Sequence, residues 1–178
     1  NKGGRYNPIT NTWIYIPNSY SFQPTARESH SAIWTGNEMI IWGGYQSAQK
    51  TNSGYVSAGF TNTGASYNPT TKSWFAIPDA PGILNNHVAV WTGSSMIVWA
   101  GGGYMYNPSS FTWSKISSVN APGTDIKQTA IWTGTEMIIW NGNGGRYNPT
   151  TDSWTPVSTV GAPGGSGSAV WTGSEMLV

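Results

Sequence analysis

The chain has 178 residues, enough for one domain with a substantial core or for part of a larger one. Only 8% are charged, against roughly 25% in an average soluble protein, and the eight Lys/Arg and seven Asp/Glu stand singly for a net +1. That leaves no basic stripe to follow a phosphate backbone, so no nucleic-acid partner is expected, and the lack of cysteine excludes disulfides, thiolate metal sites and a cysteine nucleophile.

In chain order, residues 1–16 come first, with Tyr6-Asn7-Pro8 and then Trp13. Proline presets φ for a turn, so this segment reads as two short strands, c and d of a unit that recurs. Residues 27–77 form the first full unit. Strand a spans residues 30–34, a turn follows at Thr35-Gly36-Asn37, strand b spans 38–42, c carries Tyr67 and d begins at Trp74. Strand b is apolar at consecutive positions, the pattern of a strand buried on both faces. An insertion over residues 45–63 separates b from c and carries Tyr45, Tyr55 and Phe60 among Ser, Asn, Thr and Gly. Further units occupy 84–117 and 125–157, and residues 165–178 repeat only a and b. No apolar run exceeds strand length, so no membrane span is expected.

The periodicity is strict. Ala-Ile/Val-Trp-Thr-Gly begins at Ala32, Ala89, Ala130 and Ala169, each time with a Met five residues after the Trp: Met39, Met96, Met137 and Met176. Tyr6/Trp13, Tyr67/Trp74, Tyr106/Trp113 and Tyr147/Trp154 are each seven residues apart, and successive tyrosines are separated by 61, 39 and 41 residues. The period is therefore near 40, and all eleven Trp fall on repeat positions. A hydrophobic strand ending in Gly-Gly (Trp42-Gly43-Gly44, more loosely Gly101-Gly102 and Gly144-Gly145), then a spaced Tyr and Trp, resembles the kelch motif over essentially the whole chain. A WD-type repeat would need Gly-His and Trp-Asp pairs, which are absent.

The resemblance implies an all-β, kelch-type β-propeller with four repeats of four-stranded antiparallel blades. Residues 1–178 form a single propeller block, in which the half-blade 1–16 is able to complete the half-blade 165–178. Three arrangements stay open: part of a longer chain with six to eight blades, a closed four-bladed ring, or a homodimer with eight.

In such a fold the d-to-a connections border the mouth of the central channel. Aligned on the strand-a Trp, the position four residues earlier holds His30, His87, Gln128 and Gly167, and the position five earlier holds Ser29, Asn86, Lys127 and Ser166. Seven earlier stand Arg27, Leu84, Asp125 and Gly164. The expected ligand-binding set is Arg27, His30, Asn86, His87, Lys127 and Gln128 at the mouth, with Tyr45, Tyr55 and Phe60 from the insertion, a loop expected on the same face. The competing reading has Arg27 and the histidines bonding neighbouring backbone, as the Arg-x-x-His of many kelch repeats does.

Radical copper oxidases of this fold need a Tyr–Cys cross-link, which a chain without cysteine cannot form. A sialic-acid-epimerase-like enzyme would have only Arg27, Glu28, His30 and Lys127 to work with, and a His30/His87 metal site lacks a third ligand. No catalytic residue, metal or cofactor is expected. Sugar stacking would draw on Tyr20, Phe22, Tyr45, Tyr55, Phe60 and Tyr104. The expectation is a non-catalytic binding module that recognises a protein or glycan through one face. By composition it is extracellular or at the cell surface, with the periplasm as the alternative.

Overall fold

A computed structural model describes residues 3–16, 22–51, 54–123, 127–165 and 167–178, and every regular element among them is a β-strand. The chain folds into two compact units, Asn1–Asp79 and Ala80–Val178. In the first, β1 (Gly3–Asn7) and β2 (Thr12–Ile16) form a two-stranded half-blade. Next come β3 (Arg27–Glu28), β4 (Ser31–Trp34) and β5 (Met39–Trp42). The insertion holds β6 (Tyr45–Gln46), β7 (Gln49–Thr51), β8 (Gly54–Val56) and β9 (Gly59–Phe60). It is followed by β10 (Gly64–Asn68) and β11 (Ser73–Ile77), and the first blade is the antiparallel sheet β11-β10-β5-β4.

The second unit holds two complete blades. One is β12 (Val88–Trp91), β13 (Met96–Trp99), β14 (Gly103–Asn107) and β15 (Thr112–Ile116). The other is β16 (Thr129–Trp132), β17 (Met137–Trp140), β18 (Gly145–Asn148) and β19 (Ser153–Pro156). A terminal half-blade follows, β20 (Val170–Trp171) paired with β21 (Met176–Leu177). Register repeats from blade to blade: Met39 faces Tyr67, Met96 faces Tyr106, and Met137 faces Tyr147.

Two turn devices recur. After strand a, the hydroxyl of Thr35, Thr92, Thr133 or Thr172 accepts the backbone N–H three residues on, and the following glycine takes φ near +100°. After strand c, the side-chain oxygen of Asn7, Asn68, Asn107 or Asn148 accepts the N–H groups two and three residues later. The b strands form the core, as their unbroken apolar runs predict. Met96, Ile97, Val98 and Trp99 are wholly buried, and so are Met137 and Ile139. In the second unit Ile97, Trp99, Met137 and Ile139 meet Tyr147 and Trp154 in one cluster.

Asp152 ties this cluster to the neighbouring blade. Its carboxylate accepts the Tyr147 hydroxyl at 2.7 Å and the Ser117 N–H at 2.8 Å, while the Trp154 indole donates to the Ser117 carbonyl at 2.8 Å. Burial, reinforced by the Asp152 hydrogen bond and charge, pushes the Tyr147 phenol above its ordinary value of 10.0. Above pH 10 the unfolded phenol loses its proton before the folded one, so this group's contribution to stability falls as pH rises. Denaturant titrations at pH 9 and 11 should therefore show a smaller drop for Tyr147→Phe than for the parent chain.

Candidate functional site

In the first unit the d-to-a connection and the insertion are joined through Arg27. On β3, Arg27 pairs with Gln46 and Glu28 with Tyr45, and β6 pairs in turn with β9. The Arg27 guanidinium donates to the carbonyls of Thr25 (3.2 Å), Gly43 (3.0 Å) and Thr63 (2.9 Å), and to the hydroxyls of Thr25 (3.2 Å) and Thr63 (3.1 Å). That engages all five N–H donors of an arginine. Burial holds the guanidinium below its usual value, and its hydrogen bonds go to neutral oxygens. Thr25 also donates to the Gln46 side chain at 2.8 Å. Thr25 and Thr63 escaped notice in the sequence because neither falls on a repeat position.

Gly44 shows why the b strand ends in paired glycines. It lies at φ +86°, and a Cβ there would strike the Glu28 carbonyl and the His30 backbone. His30 itself is exposed. With Arg27, Gln23, Thr25, Trp74 and Ile16 it lines a cleft of about 220 Å³. The buried Trp74 indole N–H has no acceptor among the described residues. Its counterpart Trp154 uses the residue that follows the preceding d strand, Ser117, and the matching position for Trp74 is Pro17, outside the described residues.

The insertion is not the irregular loop expected from its composition. It is a two-stage antiparallel hairpin, with β6 against β9 and β7 against β8. At its base Tyr45 and Phe60 meet edge to face, ring centroids 5.3 Å apart. Tyr55, on β8, is 72% exposed. The base also serves the blade: the Trp42 indole donates to the Asn62 carbonyl at 3.0 Å, and Gly43 N–H donates to Thr63 at 3.1 Å.

The remaining candidates lie in the second unit. Gln128 donates to the carbonyls of Asn86 and Trp99, both at 3.2 Å, tying adjacent blades together. Asn86 sits at φ +54°, His87 is half-buried and Lys127 is exposed. Arg27 and His30 belong to the first unit, and Asn86, His87, Lys127 and Gln128 to the second. Asp125 and Ser166, and Tyr20 among the stacking candidates, lie outside the described residues. Phe22 is exposed and Tyr104 half-buried. Among the described residues no three His, Asp or Glu side chains converge on a point that could hold a metal ion.

Repeated four-stranded antiparallel blades with a shared register define a β-propeller. The structure of YjhT has the same fold, at TM-score 0.67 and 16% identity over 86% of this chain. The match spans 57% of that longer chain. No family model and no curated protein matches the sequence.

Proposed function

We propose that the chain is a kelch-type, non-catalytic binding propeller that recognises a protein through the tip of the 45–63 hairpin. The observation that carries this reading is the hairpin itself. It interrupts one blade only and is held rigidly at its base by the Arg27 clamp, and it presents Tyr55 beyond the blade it interrupts. A large aromatic side chain held on an ordered strand contributes contact area at low entropic cost, as in binding loops rich in Tyr and Ser. Arg27 and Gln128 act as structural ties in this reading. Low charge suits an extracellular or cell-surface setting.

The hairpin can be trimmed without touching the blade. Gln46 and Gly59 are cross-strand partners, so Asn-Gly in place of residues 47–58 closes the hairpin with a tight turn. Removing residues 46–62, the cut that the sequence alone suggests, would also take the Asn62 carbonyl from the buried Trp42 indole. Peptides selected from a random phage library on the intact chain should bind at least about tenfold more weakly to Tyr55→Ala and to the trimmed chain. Equal binding to all three proteins rejects this reading. Selective capture of the intact chain on a glycan array, lost on trimming, would instead favour single-site carbohydrate binding.

A further inference from the structure

We propose that Asn143 is a site of spontaneous deamidation and isoaspartate formation, whereas Asn141, the other Asn-Gly of the same connection, is protected by the fold. This inference does not depend on the hairpin reading.

Both asparagines stand in Asn141-Gly142-Asn143-Gly144, between β17 and β18. An asparagine side chain is attacked by the backbone nitrogen of the residue that follows it. Glycine, with no Cβ to obstruct the approach, leaves that nitrogen most open.

The first observation is that the fold demands a glycine after Asn143. A Cβ at Gly144 would lie 2.6 Å from the Ile139 carbonyl and 2.7 Å from the Trp140 ring. Gly103 stands in the same relation to its own b strand, 2.5 Å from the Val98 carbonyl and 2.7 Å from the Trp99 ring, and Gly64 lies 2.7 Å from the Ile41 carbonyl. Packing of strand c on strand b therefore requires this glycine in each complete blade. The residue before it is Thr63, Gly102 or Asn143, so one blade alone sets an asparagine against the obligatory glycine.

The second observation separates the two asparagines. The Asn141 amide is held at both ends: Nδ2 donates to the Gly123 carbonyl at 2.6 Å, and Oδ1 accepts the Asn143 N–H at 3.1 Å. It must leave both partners before the Gly142 nitrogen can reach its Cγ. Gly142 is itself half-buried at φ +90°, beside the Gly165 backbone. Asn143 is exposed, and its side chain makes no hydrogen bond to a described residue.

The reaction needs only water. The Gly144 nitrogen bonds to Asn143 Cγ, its proton passes through solvent to Nδ2, and the Cγ–Nδ2 bond breaks to release ammonia. Water then opens the cyclic imide. Breaking the new N–Cγ bond gives aspartate, and breaking the bond from that nitrogen to the Asn143 main-chain carbonyl carbon gives isoaspartate. Aspartate adds one negative charge at an exposed position. Isoaspartate adds a methylene to the backbone just before Gly144, whose carbonyl accepts the Val157 N–H at 3.0 Å. Gly144 is pressed against strand b and has no room to absorb the extra length, so the start of β18 is displaced.

The test is incubation of the folded chain in mildly alkaline buffer, with peptide mapping by mass spectrometry and the chain in urea for comparison. In the folded chain residue 143 should deamidate at least about tenfold faster than residue 141. In urea the two rates should converge, because unfolding removes the bonds of Asn141. The aged chain should contain isoaspartate at 143 and exchange amide hydrogens faster over Gly145–Asn148. Freshly prepared Asn143→Asp and equally aged Asn143→Ser should keep the protection of the unaged parent. Equal rates in the folded chain, faster loss at Asn141, or no reaction at Asn143 overturns the proposal. An isoaspartate-bearing chain with undiminished protection overturns the displacement of β18.

Discussion

Replacing Trp99 by alanine should destabilise the second unit by about 3–5 kcal/mol, the range for emptying a large aromatic site in a core. Trp99 is wholly buried on β13, and its ring lies 4.5 Å from that of Trp154 in the next blade. The loss therefore combines two costs, transfer of the indole surface and a cavity between two blades. Each blade in a propeller is packed on its neighbours, so the opening propagates across the contact instead of remaining local. At this chain length the melting temperature should fall by roughly 6–20 °C. Trp99→Phe separates packing from polarity. The Trp99 indole N–H has no acceptor among the described residues, so phenylalanine retains most of the ring and loses no bond. Trp42→Phe, by contrast, gives up a hydrogen bond to Asn62. The phenylalanine variant should thus be tolerated better at 99 than at 42. Calorimetry of the three variants checks this, and equal losses at both positions would show that the indole bond to Asn62 contributes nothing.

The blades were legible in the sequence because their determinants are local and repeated. A Trp-Thr-Gly turn, an unbroken Met-Ile-Ile-Trp strand and Tyr-Asn-Pro followed by Trp each specify one piece of backbone, and four copies remove the ambiguity of any single one. Strands a and b begin one residue later than read, at Ser31 and Met39 instead of 30 and 38. The Glu38 N–H, for example, is taken by the Thr35 hydroxyl and so belongs to the turn. The insertion was not legible as a hairpin. Its Ser, Thr, Asn and Gly show no alternation, and its register is set by bonds from Arg27, which lies 36 residues before Thr63. Long-range ties of this kind leave no periodic trace. The roles of Arg27 and Gln128 were half-legible: position marked them, but only their partners separate a backbone tie from a ligand contact.

Arg27→Met should release the hairpin while leaving the blade beneath it folded, at a cost of about 3 kcal/mol or more. Methionine fills much of the space but donates nothing, so the carbonyls of Gly43 and Thr63 and the hydroxyls of Thr25 and Thr63 lose their charged partner together. Arg27→Lys should recover little of this. An ammonium has three donors on a flexible stem and cannot reproduce a planar fork that reaches five acceptors on both sides of the hairpin base. Two contacts should survive in both variants, Gly43 N–H to the Thr63 carbonyl and Thr61 N–H to the Gly44 carbonyl. These keep the base closed enough to prevent global unfolding. Hydrogen exchange is the discriminating measurement. In both variants exchange should accelerate in residues 45–60 while protection over Met96–Trp99 stays unchanged. The same variants should weaken any ligand held by Tyr55, because a released hairpin must be reordered on binding. If exchange accelerates and binding is unaffected, the clamp serves the fold alone and the recognition surface lies elsewhere.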